Sequence, residues 1–157
     1  MTARAVLDAA RAQGVMITAA ESCTGGMVMA ALTDIAGSSA VVERGFVTYS
    51  NAAKREMLGV LEATLEAHGA VSEEVAREMA AGALAHSDAG LAVSITGIAG
   101  PGGSGHKPEG RVCFGVTDGK TVLSETQEFG ALGRSRVRAA ARDHALELLL
   151  KALSQDA

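Results

Sequence analysis

VMITAAESCTGGMVMAALTDI, residues 15–35, contains two apolar segments separated by a short group of hydroxyl, thiol and glycine residues. Residues 15–21 combine β-branched and small apolar side chains, which predicts a buried strand. Residues 25–35 are rich in Met and Ala and predict a buried helix. The junction AESCTGG, residues 20–26, therefore lies where a strand ends and a helix begins. Ligands of α/β proteins commonly bind at such junctions, because the amides at a helix N-terminus favour negative charge.

The rest of the chain alternates between helical and strand patterns. Asp118-Gly119 is a typical hairpin turn, so at least one strand is antiparallel. The patterns predict an α/β sandwich with a mixed sheet, in which Asn51 and Ser72 are helix N-caps. Helices are expected at residues 2–13, 51–59, 61–69, 71–87 and 135–153, and strands at residues 40–50, 91–97, 111–118 and 120–129.

Length and composition narrow the class of protein. A chain of 157 residues suits one domain, residues 1–157. The net charge of −4 and the lack of a basic cluster argue against nucleic-acid binding, because phosphate contacts need clustered Lys and Arg. No apolar run reaches the roughly 18 residues of a membrane span, and no signal peptide is evident, so we expect a cytoplasmic protein. Two Cys and four scattered His indicate neither a disulfide framework nor a zinc site.

The AESCTGG junction offers hydroxyl groups and glycine amides for binding or catalysis. Ser22, Thr24 and the amides of Gly25 and Gly26 could hold an oxyanion or a phosphate, since Gly has no Cβ to block a close approach. Cys23 is expected to be a small buried residue rather than a nucleophile. The alternative is that Ser22 or Thr24 only caps the helix.

The segment GFVTYSNAAK, residues 45–54, ends a predicted strand and begins a helix. A strand end followed by one helical turn can direct Tyr49 and Lys54 into the same cleft. A Lys that is partly removed from water has a lowered pKa and can act as the base for a serine hydroxyl, so no histidine is needed. The alternative is a surface Lys beside a half-buried Tyr.

Two further segments have features of anion-binding sites. Residues 97–110 contain six glycines between two strands, and their backbone amides can form a nest for an anion. They do not form a Walker motif, and the alternative is a flexible surface connector. Arg134 and Arg138 are four residues apart on one helix face, where they could clamp a phosphate or simply face solvent.

Four runs, in this order, resemble the signature runs of the CinA C-terminal domain family: AESCTGG, GFVTYSNAAK, TGIAGPGG and KPEGRVCFGV. The likeness extends from residue 4 to about residue 152. It implies a three-layer α/β/α sandwich with a mixed, mostly parallel five-stranded sheet. Many members of the family hydrolyse the carboxamide of nicotinamide mononucleotide in pyridine nucleotide salvage, and this chain resembles the stand-alone form. The resemblance therefore implies an amidase that acts on a small pyridine nucleotide.

Carried over residue by residue, the resemblance assigns the nucleophile to Ser22 and its supporting side chains to Tyr49 and Lys54. Lys54, with Tyr49, would take the proton of Ser22 and later protonate the departing ammonia. The amides from Cys23 to Gly26 would stabilise the tetrahedral oxygen. No metal and no cofactor are implied. The substrate-binding residues implied are Cys23, Thr24, Gly25, Gly26, Thr96, Gly97, Gly100, Gly102, Arg134 and Arg138.

Two other classes of protein stay open on the sequence. The same glycine and hydroxyl groups would serve a non-catalytic nucleotide-binding module, for example a regulatory one linked to DNA competence. A thiol-based redox protein would need Cys23 to be exposed with a low pKa. The Met- and Ala-rich helices could also pack against a second copy of the chain, so we expect a homodimer.

Overall fold

The computed structural model describes residues 2–154, over which the chain forms six α-helices and five strands. The helices are α1 (Thr2–Gln13), α2 (Met27–Thr33), α3 (Asn51–Leu58), α4 (Glu62–His68), α5 (Glu73–Ala85) and α6 (Arg134–Ser154). The strands are β1 (Ile17–Glu21), β2 (Phe46–Val47), β3 (Leu91–Gly97), β4 (Arg111–Thr117) and β5 (Val122–Glu128). Within residues 2–154 no helix combines the length and the apolar character that crossing a bilayer requires.

The strands form one sheet in the order β2-β1-β3-β4-β5. β1 pairs in parallel with both β2 and β3, whereas β4 is antiparallel to both β3 and β5. Only β4 therefore runs against the other described strands, which confirms the mixed, mostly parallel sheet. β1, β2 and β3 end at the same edge, so the segments that follow them meet there.

Helices cover both faces of the sheet, which confirms the three-layer sandwich. Ala19 and Ala20 are neighbours in β1 but belong to opposite cores, as the two-residue period of a strand requires. The core on the side of α1, α2 and α6 includes Val6, Ile17, Leu32, Val93, Val137 and Leu149. The core on the side of α3, α4 and α5 includes Leu58, Leu65, Val75, Met79 and Ala92.

The strand predicted at residues 40–50 is wrong over most of its length, because β2 contains only Phe46 and Val47. A 3-10 helix, Ser38–Ala40, precedes it. The Thr18 hydroxyl donates to the Arg44 carbonyl at 2.7 Å. A side chain thus occupies a backbone carbonyl that would accept from a backbone amide if the β1–β2 pairing extended this far. The helix predicted from residue 25 begins at Met27 instead.

The start of α3 also differs from the prediction. Ser50, not Asn51, is the N-cap: its hydroxyl accepts from the Ala53 amide at 3.0 Å. Asn51 is the first residue of the helix. Ser72 caps α5 as predicted, accepting from the Val75 amide at 3.2 Å.

Candidate active site

Ser22 and Lys54 meet below the edge where β1 and β2 end. The Lys54 Nζ donates to the Ser22 Oγ at 3.1 Å and to the Thr48 carbonyl at 3.0 Å. Lys54 is 1% exposed and Ser22 is 8% exposed. A buried amine in contact with a buried hydroxyl is the arrangement that the sequence predicted for these two residues, which are 32 positions apart.

Backbone pairing between the strands fixes the positions of both side chains. Ser22 directly follows β1, and its amide donates to the Ile95 carbonyl of β3 at 2.9 Å. The Thr48 amide donates to the Glu21 carbonyl at 2.8 Å, which continues the β1–β2 pairing by one residue. Lys54 lies in the first turn of α3, so its side chain reaches back toward the strand ends.

The environment of Lys54 favours its uncharged form. Burial lowers the pKa of Lys54, since removal from water penalises the ammonium. Over residues 2–154 no carboxylate lies within 4.0 Å of its Nζ to offset that penalty. A lysine with a lowered pKa that touches a serine hydroxyl can accept the hydroxyl proton, which makes the serine a nucleophile.

A cleft of about 790 Å³ opens above the Ser22–Lys54 pair. Its walls come from the ends of the strands, the C-terminal end of α4, the glycine-rich loop and the start of α6. The sequence-predicted residues that line it are Ser22, Cys23, Tyr49, Lys54, Thr96, Gly97, Gly100, Gly102 and Arg134. The structure thus brings nine of those residues around one space.

Thr96 and Gly97 form the β3 side of the cleft, and both have structural partners. The Thr96 hydroxyl donates to the Ala70 carbonyl at 2.8 Å, so its oxygen keeps only acceptor capacity toward a ligand. A Cβ at Gly97 would lie 2.6 Å from the Val112 Cγ2 and 3.0 Å from the Arg111 carbonyl oxygen. Glycine is therefore required at position 97 by the close approach of β4, whatever a substrate needs.

Tyr49 and Arg134 meet at the mouth of the cleft. The Arg134 Nη2 donates to the Tyr49 hydroxyl at 2.7 Å, and its Nη1 donates to the Gly100 carbonyl at 2.6 Å. Tyr49 is 62% exposed, and over residues 2–154 its hydroxyl has no hydrogen bond to Ser22 or Lys54. Tyr49 shares the cleft with Lys54, as predicted, but its hydroxyl is hydrogen-bonded to Arg134 and not to the Lys54 amine.

Arg138, one helical turn after Arg134, is directed elsewhere. Its Nε donates to the Cys23 carbonyl at 2.9 Å and its Nη2 to the Thr24 carbonyl at 3.3 Å. The guanidinium thus holds the turn that follows β1, and Arg138 does not line the cleft. The two arginines do not form the phosphate clamp that their spacing suggested, because only Arg134 faces the cleft.

Three of the four residues in the Cys23–Gly26 turn lie outside the cleft: Thr24, Gly25 and Gly26. The Gly25 amide donates to the Ser22 carbonyl at 3.0 Å, and the Gly26 amide donates to the Glu21 Oε1 at 3.1 Å. The Thr24 hydroxyl is fully buried and has no hydrogen-bond partner in residues 2–154. These groups are therefore not presented to a ligand in the way that the sequence suggested.

Cys23 is the small buried residue that was predicted. It is 6% exposed, and burial raises the pKa of its thiol to about 12. A thiol with so high a pKa is almost entirely protonated at neutral pH and is a poor nucleophile. The redox alternative required an exposed Cys23 of low pKa, and the structure contradicts both conditions.

Glu21 is a residue that sequence reasoning missed. Its fully buried carboxylate accepts from the amides of Gly26 and Val28 through Oε1, at 3.1 and 3.0 Å, and from the Met29 amide through Oε2 at 3.0 Å. The chain's own carboxylate thus occupies the N-terminus of α2, where a bound anion was expected. An acidic residue at the end of a buried apolar strand is the sequence signal that could have revealed it, because a buried charge needs partners.

Comparison with known proteins gives consistent matches over nearly the whole chain. The profile of the CinA C-terminal domain matches residues 1–153. The nicotinamide-nucleotide amidohydrolase PncC of Enterobacter agglomerans is 55% identical over 146 residues, which cover 91% of this chain and 88% of the relative. The protein of the same name from Escherichia coli K12 is 52% identical over 150 residues, which cover 95% of this chain and 91% of the relative.

A solved structure shares the fold. The competence/damage inducible protein CihA from Agrobacterium tumefaciens superposes with a TM-score of 0.93 at 50% sequence identity, covering 98% of this chain and 93% of that chain. Profile, sequence identity and fold agree over the region that contains the Ser22–Lys54 pair and its cleft. The chain therefore belongs to the CinA C-terminal domain family.

Proposed function

We propose that this chain is a nicotinamide-nucleotide amidase, which converts nicotinamide mononucleotide and water to nicotinate mononucleotide and ammonia. The observation that carries the proposal is the buried contact of 3.1 Å between Lys54 and Ser22 at the base of an open cleft. Two relatives at 55% and 52% identity, both named nicotinamide-nucleotide amidohydrolases, support the substrate class.

In the first step the Ser22 Oγ attacks the carboxamide carbon, while the uncharged Lys54 amine takes the hydroxyl proton. The lowered pKa of Lys54 makes the uncharged amine more available than in a solvated lysine. The Thr48 carbonyl, 3.0 Å from Nζ, orients the amine and stabilises the ammonium that forms.

The tetrahedral oxygen needs hydrogen-bond donors that are not already engaged. In the Cys23–Gly26 turn, the amides of Gly25 and Gly26 donate to chain oxygens, whereas over residues 2–154 the Cys23 and Thr24 amides have no hydrogen-bond acceptor. We assign the oxyanion to the Cys23 amide, because Cys23 lines the cleft and Thr24 does not. One amide thus takes the role that the sequence suggested for the four amides from Cys23 to Gly26.

Collapse of the tetrahedral intermediate breaks the C–N bond and releases ammonia, which receives its proton from Lys54. This step leaves an acyl-enzyme intermediate, in which the Ser22 Oγ forms an ester with the nicotinoyl group of the mononucleotide. Lys54, uncharged again, then takes a proton from water, and the resulting hydroxide equivalent hydrolyses the ester and regenerates the Ser22 hydroxyl. The same amine thus serves as base and acid in both halves of the reaction.

The 5′-phosphate is assigned to the mouth of the cleft. Arg134 is exposed there and lines the cleft, and its guanidinium has five N–H donors, of which two chain contacts use only part. Over residues 2–154 the amides of Ala99, Gly100 and Gly103 have no hydrogen-bond acceptor, so they can add to the site, whereas the Gly102 amide is engaged by Glu109.

The test is ammonia release from nicotinamide mononucleotide by the purified protein, with identification of nicotinate mononucleotide as the second product. Formation of both products supports the amidase. Tight binding of the mononucleotide without ammonia release would favour the non-catalytic nucleotide-binding module instead. The homodimer and the cytoplasmic location stay predictions from the sequence.

A further inference from the structure

Glu109 bridges two parts of the chain that form the mouth of the cleft. Its Oε1 accepts from the Gly102 amide at 2.7 Å, and its Oε2 accepts from the Gly133 amide at 3.0 Å. Gly102 belongs to the glycine-rich loop, and Gly133 directly precedes Arg134, the first residue of α6. Glu109 itself does not line the cleft, so its carboxylate contacts the backbone of the cleft wall and not the space where a ligand would bind.

Arg134 completes the connection from the other side. Its Nη1 donates to the Gly100 carbonyl at 2.6 Å, so the loop and the start of α6 are joined by two separate contacts. Gly100 has a φ of +94°, and a Cβ there would lie 2.5 Å from the Glu109 Cδ. A side chain at position 100 would therefore displace the carboxylate from its two amides.

These contacts counter the flexibility of the loop. A loop rich in glycine loses much conformational entropy when a ligand orders it, and that loss weakens binding. A carboxylate that already holds the loop amide and the helix start removes part of this loss before the ligand arrives. Both of its oxygens are hydrogen-bonded, and a negative charge beside the N-terminus of α6 is favourable.

We propose that Glu109 is a positioning residue that holds Arg134 and the 99–103 loop in the arrangement that binds the phosphate, and thereby sets the preference for phosphorylated over unphosphorylated substrates. The inference rests on the proposed function for its choice of substrate. The Glu109 contacts themselves do not depend on that function, so they can be tested separately.

The kinetic experiment compares nicotinamide mononucleotide with nicotinamide riboside, which lacks the phosphate. We expect Glu109→Ala to raise KM for the mononucleotide by about ten- to a hundredfold, the range expected for lost hydrogen bonds to a charged group, with kcat within about threefold. The kcat/KM for the riboside should change by less than about threefold, because the riboside makes no phosphate contact. Glu109→Gln keeps one good acceptor oxygen and should fall between the wild type and Glu109→Ala.

Glu128→Ala is the matched control, since Glu128 is an exposed carboxylate away from the cleft. Within residues 2–154 the Arg111 side chain is the only side-chain partner of this carboxylate. The control should leave both substrates unaffected. The single substitution Arg134→Ala should abolish the preference in kcat/KM for the mononucleotide over the riboside. Adding Glu109→Ala to Arg134→Ala should then cost much less than Glu109→Ala costs in the wild type, because the two residues serve the same contact.

Amide hydrogen exchange provides a readout that needs no activity. Exchange at Gly102 and Gly133 should accelerate in Glu109→Ala and stay unchanged in Glu128→Ala. Unchanged exchange, an equal loss of kcat/KM for both substrates, or a wild type that does not prefer the mononucleotide would each overturn the inference. If the wild type releases ammonia from neither substrate, the proposed function fails, and the exchange rates and the ratio of mononucleotide to riboside Kd then decide about Glu109.

Discussion

The Lys54 Nζ lies 3.1 Å from the Ser22 Oγ, and both residues are buried where two neighbouring parallel strands end. Burial lowers the pKa of Lys54 and also limits the access of water to the hydroxyl that it would activate. The two effects have one cause, so a change that restores water to this site should weaken both.

Replacing Lys54 with Met should abolish activity and stabilise the fold. The general base contributes about a hundred- to ten-thousandfold to such a reaction, so kcat should fall by at least that much. Met fills a similar volume without a buried amine, so the free energy of unfolding should rise by about 1 kcal/mol, or about 2–4 °C in Tm. Lys120→Met, at an exposed position, should change neither quantity. Activity that survives in Lys54→Met would contradict the role of the amine.

The pH dependence of kcat/KM should have an acidic limb with an apparent pKa below the ordinary lysine value of 10.5, because the pKa of Lys54 is lowered. The pH dependence of folding stability should also reflect the titration of Lys54. The folded state binds fewer protons than the unfolded state between the lowered pKa and 10.5, so stability should rise with pH in that window. The rise should be missing in Lys54→Met. Equal slopes in the two proteins, measured by denaturant unfolding, would show that the Lys54 pKa is not lowered.

Glu21 should be needed for the turn that presents Ser22. Glu21→Gln leaves one acceptor oxygen for three amides and turns an amide donor toward the N-terminus of α2, so unfolding free energy should fall by about 2 kcal/mol. We expect a loss of kcat as well, since α2 and the Ser22 turn share these bonds. Glu56→Gln, at an exposed position of α3, is the control for denaturant unfolding and kinetics. A Glu21→Gln protein as stable as Glu56→Gln would refute the capping role.

Removing the Tyr49 hydroxyl should affect binding more than chemistry. The hydroxyl contacts Arg134 at 2.7 Å and has no described contact with Lys54, so Tyr49→Phe should raise KM by about two- to tenfold. Its kcat and the apparent pKa of the acidic limb should stay close to those of the wild type. A fall in kcat of about a hundredfold would instead restore the proton-transfer role that the sequence suggested for Tyr49.

The elements that were predicted correctly have capping residues or turn dipeptides within their own segment of the sequence. Ser72 followed by two glutamates indicates the start of α5, and Asp118-Gly119 indicates the β4–β5 hairpin. β2 was predicted too long because its pairing with β1 covers only two residues, which depends on tertiary contacts. The alternating patterns predicted the sandwich and its mixed sheet, and the family resemblance implied its three layers and the Ser22–Lys54 pair. The order of the strands was not predicted from the sequence.

The parts of the site that were missed depend on contacts between distant segments. The four-residue spacing places Arg134 and Arg138 on the same face of α6. However, α6 crosses the turn after β1, so Arg138 contacts the carbonyls of Cys23 and Thr24. Glu21 caps a helix that begins six residues later, which no local capping pattern describes. Helix periodicity places a side chain on a face, but it does not say what that face contacts.

Ammonia release from nicotinamide mononucleotide by Ser22→Ala is the most direct measurement of the central claim. Ser38→Ala is its matched control, because Ser22 and Ser38 are both 8% exposed and Ser38 lies outside the cleft. We expect Ser22→Ala to bind the mononucleotide with nearly unchanged Kd and to lose at least about a thousandfold in kcat, while Ser38→Ala stays within about threefold of the wild type. A Ser22→Ala protein that releases ammonia at the rate of Ser38→Ala would contradict the assignment of Ser22 as the nucleophile.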